Sequence, residues 1–399
     1  MFPNGKKILK PGGKFYSHKR IGWTLVKSLY ISQVDTVFAN GAYPIQFLLY
    51  YKSRLNTKHI RLALKKLAAD FWPAFGEYRT GAIRFNSYSE IDHFEESSSG
   101  QEFDPGDSSA VIHRVYYQSI PADMNTLFFL KVIQYENGTV LLPNMSHLAG
   151  DGYSYFFLLS VLAALSRSAG IPFKGMMIRR MFKPHHNRTE LKDFRFNLDL
   201  PSRPANNGGL TIEFEEVPRN HVRELIKNIS SDFNRQVTPN DILSAITCKK
   251  LIALQTNHFS HDFQLTIPID VRSLVAEYGA KFFGNGIMFG KINFEADLIR
   301  KLPVQELAIK IREGMPAVSR TSFMNFLEQL ETIIAQQRLH DLKPFDPKRG
   351  VLVTNLSKLP VKKLNFGTGN PDYIFPLTIA KNSTAIIGDK DKFILRIAY

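Results

Sequence analysis

The sequence predicts an α/β protein built from two units of similar size, each a mixed sheet with helices. Three observations carry this. Strand and helix patterns alternate in both halves of the 399-residue chain. From Phe173 to Gly209 the pattern fails and proline, asparagine and arginine recur, as in Pro184-His185-His186-Asn187-Arg188 and Pro201-Ser202-Arg203-Pro204. That segment reads as a crossover between units. Around Thr139 to Ser160 an apolar run ends in a polar, glycine-flanked loop and a second apolar segment leaves it. The boundaries that follow are residues 1–185, a linker over 186–209, and residues 210–399, in keeping with about 150 residues per domain.

The elements can be taken in order. Residues 1 to 28 are lysine-rich and read as a solvated tail. Ile45 to Tyr51 is a strand candidate. A helix follows, capped by Asn56 or Thr57, with Ile60, Leu62, Leu64, Leu67 and Ala68 as apolar positions and Lys58, Arg61, Lys65 and Lys66 as a basic face. Phe71 to Arg79 breaks at Pro73 and turns at Gly76. Glu90 to Ser109 is acidic and serine-rich and reads as a surface loop. Leu127 to Tyr135 is a strand, Asn137-Gly138 a tight hairpin turn, Val140 to Met145 a second strand, and Tyr153 to Leu165 a helix. In the second half, strands are expected at Leu210–Val217, Phe263–Asp270, Ile287–Phe294, Val351–Asn355, Tyr373–Leu377 and Phe393–Ala398. Helices are expected around Val222–Ile226, at Ile242–Leu254 behind Thr238-Pro239, at Val304–Glu313 and at Phe323–Gln337.

Composition narrows the function classes. Hydrophobic content of 44% and charged content of 22% are those of a globular protein, and 31 phenylalanines can build apolar walls. The net charge of +15 favours anionic partners, although solubility alone also explains it. With Cys248 as the single cysteine, neither an internal disulfide nor a multi-cysteine metal site is possible. Met1 to Arg20 has no apolar core of a secretory signal, and Tyr153 to Leu165 falls short of the about 20 residues a membrane span needs. The expectation is a cytoplasmic protein with at most peripheral membrane contact. His185-His186 and His258-x-x-His261 lack partner ligands at metal spacing, so no metal is expected.

The candidate site is Ser146-His147-Leu148-Ala149-Gly150-Asp151-Gly152. A histidine where a buried strand meets a helix can be held neutral at the edge of an apolar cleft. Asp151, between two glycines, can equally be a plain helix cap and His147 an ordinary satisfied histidine.

Other segments add to this one. Ile31-Ser32-x-x-Asp35, Phe71 to Arg79, His147-x-x-x-Asp151-Gly152, Asn240-Asp241-Ile242-Leu243, Asp270-Val271-Arg272-Ser273 with Phe283-Gly284-Asn285, Thr354-Asn355-Leu356-Ser357 and Asn365-Phe366-Gly367-Thr368-Gly369 follow one another in a recognisable order. Together they resemble the BAHD family of acyl-CoA-dependent acyltransferases, in the superfamily of chloramphenicol acetyltransferase and peptide-synthetase condensation domains. The chain departs from the family pattern at Glu77, where arginine is usual, at Asn365, where aspartate is usual, and at Leu356 and Thr368, where tryptophan is usual.

The resemblance implies two chloramphenicol-acetyltransferase-like domains with a channel between them. It implies His147 as general base, with Asp151 and Thr354 completing the catalytic set. Asp151 would pair with Arg272 and organise the site, and Thr354 would donate to the oxyanion. Gly152, Asp270, Arg272, Asn365, Gly367 and Gly369 would support the site structurally. No cofactor is implied; acyl-CoA is a co-substrate, and the acceptor is a small-molecule alcohol or amine. Two other readings stay open: a donor held on an acidic acyl carrier protein, and a non-catalytic binding protein of the same fold. No nucleic-acid motif is present.

Overall fold

The structure, a computed structural model, describes residues 20–21, 24–38, 44–79, 81–106, 126–167, 211–255, 259, 262–275, 282–358, 360–377 and 380–399. The expected lysine-rich tail and the 186–209 linker, with His185, His186, His258 and His261, lie outside these residues, save for the tail's last few positions.

The chain begins with a small ladder, β1 (Arg20–Ile21) on β2 (Thr24–Leu25), then β3 (Lys27–Tyr30) and a one-turn helix, α1 (Gln33–Thr36). Ser32 and Asp35 form a capping box at α1, each side chain accepting the other's backbone N–H. Strand β4 (Pro44–Tyr51) is buried along its whole length. Helix α2 (Thr57–Asp70) starts on the Asn56 side chain, which accepts from the His59 N–H at 3.3 Å. It buries Ile60, Ala63, Leu64, Leu67 and Ala68, a stripe at helical spacing. Leu62, expected on that stripe, points to solvent at 61% exposure because it falls between the buried rows.

Next come β5 (Glu77–Arg79), β6 (Ala82–Phe85), the short helix α3 (Glu90–His93) and β7 (Phe94–Ser98). The surface loop expected from Glu90 onward is therefore partly ordered structure. Strand β7 runs parallel to its neighbour at the edge of a sheet, so Glu95 and Glu96 reach water while Phe94 and His93 are buried. The acidic composition reports that exposed edge and is silent on the backbone pairing. The hairpin β8 (Phe128–Tyr135) and β9 (Gly138–Ser146) leads into α4 (Gly152–Arg167). Helix α4 is apolar nearly all round and is covered on most sides. Each Leu or Phe it buries contributes about 1.5–3 kcal/mol.

The second half holds β10 (Ile212–Pro218), α5 (Arg219–Phe233), α6 (Pro239–Leu254), β11 (Asp262–Asp270), β12 (Ile287–Glu295), α7 (Ala296–Lys301), α8 (Val304–Gly314), α9 (Arg320–Ala335), β13 (Gly350–Asn355), β14 (Tyr373–Pro376), β15 (Ser383–Gly388) and β16 (Lys392–Ala398). Strand β15 is absent from the sequence reading. Its apolar run, Ala385-Ile386-Ile387, is short and stands beside Lys381 and Asp389.

Two large sheets organise these elements. One has the order β14-β4-β9-β8-β7, the other β10-β16-β15-β13-β11-β12; β3-β6-β5 form a smaller sheet. The division at residue 210 does not follow the sheets strictly. Strand β14, from the second half, pairs antiparallel with β4, placing Phe375 opposite Leu48. Phe283, Phe289, Leu330, Leu364 and Phe366 join the first half's core. The second half keeps its own core around Ile242, Phe263, Leu307 and Val353. One face of each large sheet is thus turned toward the other, and the site lies between them. Among the described residues no helix is long and apolar enough to cross a membrane.

Candidate active site

Strand β9 ends at Ser146, and the chain must turn at once to enter α4. The Ala149 N–H donates to the Ser146 carbonyl at 2.9 Å, and Leu148 N–H to the Ser146 hydroxyl at 3.2 Å. Gly150 is required by close packing: a Cβ there would stand 2.8 Å from Ser154 Cβ. Asp151 then caps α4, its Oδ1 accepting from the Ser154 N–H at 3.0 Å.

The same carboxylate is an ion-pair partner. Arg272 Nη2 donates to Asp151 Oδ1 at 2.8 Å, and Gly286 N–H donates to Asp151 Oδ2 at 2.8 Å. The two side chains are 5% and 3% exposed. Arg272 also donates to Asp270 Oδ1 at 3.2 Å and to the Gly284 carbonyl at 3.0 Å, and it lies 4.5 Å over the Tyr153 ring. The Ser154 hydroxyl closes the node, donating to Gly284 O at 2.8 Å and accepting from Gly284 N at 2.9 Å. Gly286 has no room for a side chain, since a Cβ would come within 2.9 Å of the Arg272 guanidinium carbon. With its lone pairs committed in this way, Asp151 joins the two halves and does not reach His147.

His147 is held by its backbone and by a ring. Asn285 Nδ2 donates to the His147 carbonyl at 2.7 Å and to Asp35 Oδ1 at 2.7 Å. Phe38 stacks on the imidazole with centroids 4.1 Å apart and planes 11° from parallel. Nδ1 is buried without a hydrogen-bond partner. Burial lowers the His147 pKa from 6.5 to about 4. That outweighs the opposing pull of Asp151, Asn285 and Asp35. The ring is therefore neutral at pH 7.

His147 faces a cavity of about 200 Å³ between the sheets. Phe47, Phe156, Ile287 and Phe289 give it apolar walls, while Asp151, Gly152 and Thr354 also line it. Thr354 stands on β13, in register with Ala385 of β15. Gly152 is the first residue of α4, and open space surrounds its missing side chain.

Asn365, Gly367 and Gly369 are not brought to the cavity. Asn365 Oδ1 accepts from Gly367 N at 2.8 Å and Gly369 N at 3.2 Å, closing a turn in which both glycines have positive φ, 119° and 106°. Arg167 at the end of α4 donates to the Asn365 carbonyl at 2.7 Å. Asp270 ends β11 half-exposed, braced against Arg272. Cys248 is in the core of α6, where burial pushes its thiol up, away from nucleophilic use. Among the described residues no cluster of histidine, cysteine and carboxylates could hold a metal.

The roles of Asp35, Asn285, Ser154 and Phe38 escape a reading by motif. Asp35 has a local signal, the Ser32-x-x-Asp35 capping box, and Asn285 stands between two glycines. Neither signal says that the two side chains meet across 250 residues.

Comparisons with known proteins agree with this architecture. No curated protein sequence matches the chain. Among solved structures, TRI101 of F. sporotrichioides, complexed with coenzyme A and T-2, superposes with a TM-score of 0.65 at 13% identity, over 93% of this chain and 94% of that one. Vinorine synthase gives 0.67 at 15% identity, over 98% and 93%. The first condensation domain of the CDA synthetase gives 0.57 at 11% identity, over 93% and 89%. These likenesses establish the shared fold of two chloramphenicol-acetyltransferase-like domains. The profile of the Transferase family matches residues 98–392, most of the chain, which therefore belongs to that family of BAHD-type acyltransferases.

Proposed function

We propose that the protein moves an acyl group from an acyl-CoA thioester to the hydroxyl or amine of a small-molecule acceptor, with His147 as general base. One observation carries this reading: a neutral imidazole lining a mostly apolar cavity between the sheets, with the nearby carboxylate already committed to Arg272 and Gly286. The coenzyme A bound by TRI101 and the net charge of +15 are consistent with a CoA donor.

The chemistry needs little else. The imidazole takes the acceptor's proton, and the oxygen or nitrogen attacks the thioester carbonyl. The tetrahedral oxyanion collapses, the C–S bond breaks, and the CoA thiolate recovers the proton from the imidazolium. Thr354, on the cavity wall, is the proposed oxyanion donor. Asp151 and Arg272 fix the loop that carries His147 and move no proton. Holding both substrates beside one base supplies much of the remaining rate.

The test is free-thiol release from a panel of acyl-CoAs with mixed alcohol and amine acceptors. Acceptor-dependent release is expected, reduced on the order of 10²–10⁴-fold in His147→Ala and 10²–10³-fold in Thr354→Val. Unchanged turnover in His147→Ala would remove the base from the scheme. Release by the wild type only from carrier-protein thioesters would replace CoA as the donor.

A further inference from the structure

Of the described residues that line the cavity, Asp151 alone is an anion at pH 7. Its charge is already met: Arg272 Nη2 and the Ser154 N–H donate to Oδ1, and the Gly286 N–H donates to Oδ2. Arg396 also lines the cavity, but it is a cation and offers a second positive charge no partner. The other carboxylate near His147, Asp35, is not among the lining residues. It accepts from Asn285 Nδ2 at 2.7 Å and from the Ser32 N–H at 2.7 Å.

Carbonyl oxygens of the lining residues are engaged as well. His147 O accepts from Asn285 Nδ2 at 2.7 Å, Ala380 O from the Ser383 hydroxyl at 2.6 Å, and Pro376 O from Arg396 Nη1. What faces an incoming acceptor is an apolar wall, a neutral imidazole and the Thr354 side chain.

Such a cavity separates the two acceptor classes. A hydroxyl compound arrives uncharged, with one donor for the imidazole. An alkyl amine arrives as an ammonium, with about one molecule in 10³ uncharged at pH 7. Its charge and three N–H donors would leave water without a free partner, which is strongly unfavourable. His147 does not relieve it. An alkyl ammonium holds its proton to about pH 10 and the buried ring only to about 4, so that transfer is uphill by roughly 10⁶-fold. The attack itself has the same preference. As a hydroxyl oxygen bonds to the thioester carbon its proton becomes strongly acidic, and a weakly basic imidazole suffices to take it. A nitrogen in that place holds its proton more tightly.

We propose that the acceptor is an uncharged hydroxyl compound, an alcohol or a phenol, and that the cavity shuts out aliphatic amines. This rests on the transferase reading above and narrows it. The hydroxyl oxygen bonds to the thioester carbon, the C–S bond breaks, and the hydroxyl proton passes through the imidazole to the CoA sulfur.

The test sets acceptors of one skeleton against each other: 2-phenylethanol against 2-phenylethylamine, and 1-hexanol against 1-hexylamine. Each is run with the acyl-CoA panel, with uncatalysed release subtracted and the acylated product identified by mass. At pH 7 the alcohol of a pair is expected to exceed the amine in kcat/KM by on the order of 10³-fold, following the amine's uncharged fraction. Between pH 6 and 9 any turnover of the amine should climb about tenfold per pH unit. Turnover of the alcohol should stay level, because His147 is neutral throughout. If release occurs only with other acceptors of the panel, those are compared with their own matched amines in the same way.

Amine turnover equal to the alcohol's at pH 7, or independent of pH, overturns the proposal and leaves the transferase reading intact. If no thiol is released with any acceptor, the transferase reading fails separately, and calorimetric binding of the same pairs decides. Alcohol bound tenfold or more tightly than amine at pH 7, with the gap narrowing at pH 9, sustains the proposal for the ligand this cavity takes. Equal binding, or none by either, overturns it.

Discussion

Asp151 and Asp241 each stand at the start of a helix, and each is met by an arginine from a distant element. Asp151 caps α4 and pairs with Arg272; Asp241 sits in the first turn of α6, accepts from the Thr238 N–H at 2.7 Å and hydroxyl at 2.8 Å, and pairs with Arg312 of α8. Both carboxylates are buried, at 3% and 1% exposure of the side chain. The arginines differ: Arg272 is 5% exposed and Arg312 41%. Arg312 reaches its partner from solvent and remains inside the second half. Arg272 is closed in from every side and ties the second half to the helix of the first. Local chemistry at the two helix starts is nearly the same. What distinguishes the first node is its place between the sheets, one turn of chain from a histidine facing a cavity.

The largest effect should come from breaking the enclosed node. Arg272→Ala leaves Asp151 buried with only backbone N–H donors, and losing one partner of a buried pair costs about 3–5 kcal/mol. Denaturant unfolding should show that loss, and thiol release should fall with it because the loop bearing His147 loses its brace. A loss no greater than that of Arg312→Ala would mean that enclosure adds nothing.

The second effect is a pH dependence that belongs to the first node alone. An unfolded imidazole takes up its proton near pH 6.5, and His147 in the fold only near 4. Between these values the unfolded chain binds more protons, so acidification favours unfolding. The His147 contribution is whole above pH 6.5 and is lost as pH falls through about 4, amounting to about 3 kcal/mol. His147→Gln should flatten that part of the stability profile. In the wild type, activity should persist through pH 6 and decline toward 4. A decline centred at 6.5 would mean the ring is not held neutral by burial.

Much of this was legible in the sequence, for reasons the structure makes plain. Asn137-Gly138 and the alternating strands announce the hairpin, because turn chemistry and side-chain period are local. The Thr238-Pro239 start and the glycines of the Asn365–Gly369 turn are equally local. Arg272 is 121 residues from Asp151 and could be named as its partner only through the family resemblance. Strand β14 could be read as a strand but not assigned to the first sheet, since no pattern within four residues encodes a partner more than 300 positions back. Arg396 looked like any charged residue on a C-terminal strand. Its burial follows from which face of β16 meets the cavity, and that depends on the packing of both sheets.

The smallest effect, and the control for the rest, is Arg312→Ala. Asp241 would keep the Thr238 N–H and hydroxyl, so its charge stays hydrogen-bonded even though it is buried. Arg312 itself is 41% exposed, and such half-exposed pairs contribute on the order of 1 kcal/mol or less. Thermal unfolding should therefore shift slightly, and more at low salt than at high, because the lost interaction is screened. Thiol release should match the wild type, since α8 takes no part in lining the cavity. Together with Arg272→Ala, this variant separates what an arginine does for a helix start from what it does for a site. A clear loss of turnover in Arg312→Ala would show that the second node also controls the cavity, through the sheet it packs on, and the distinction between the two would then be one of degree.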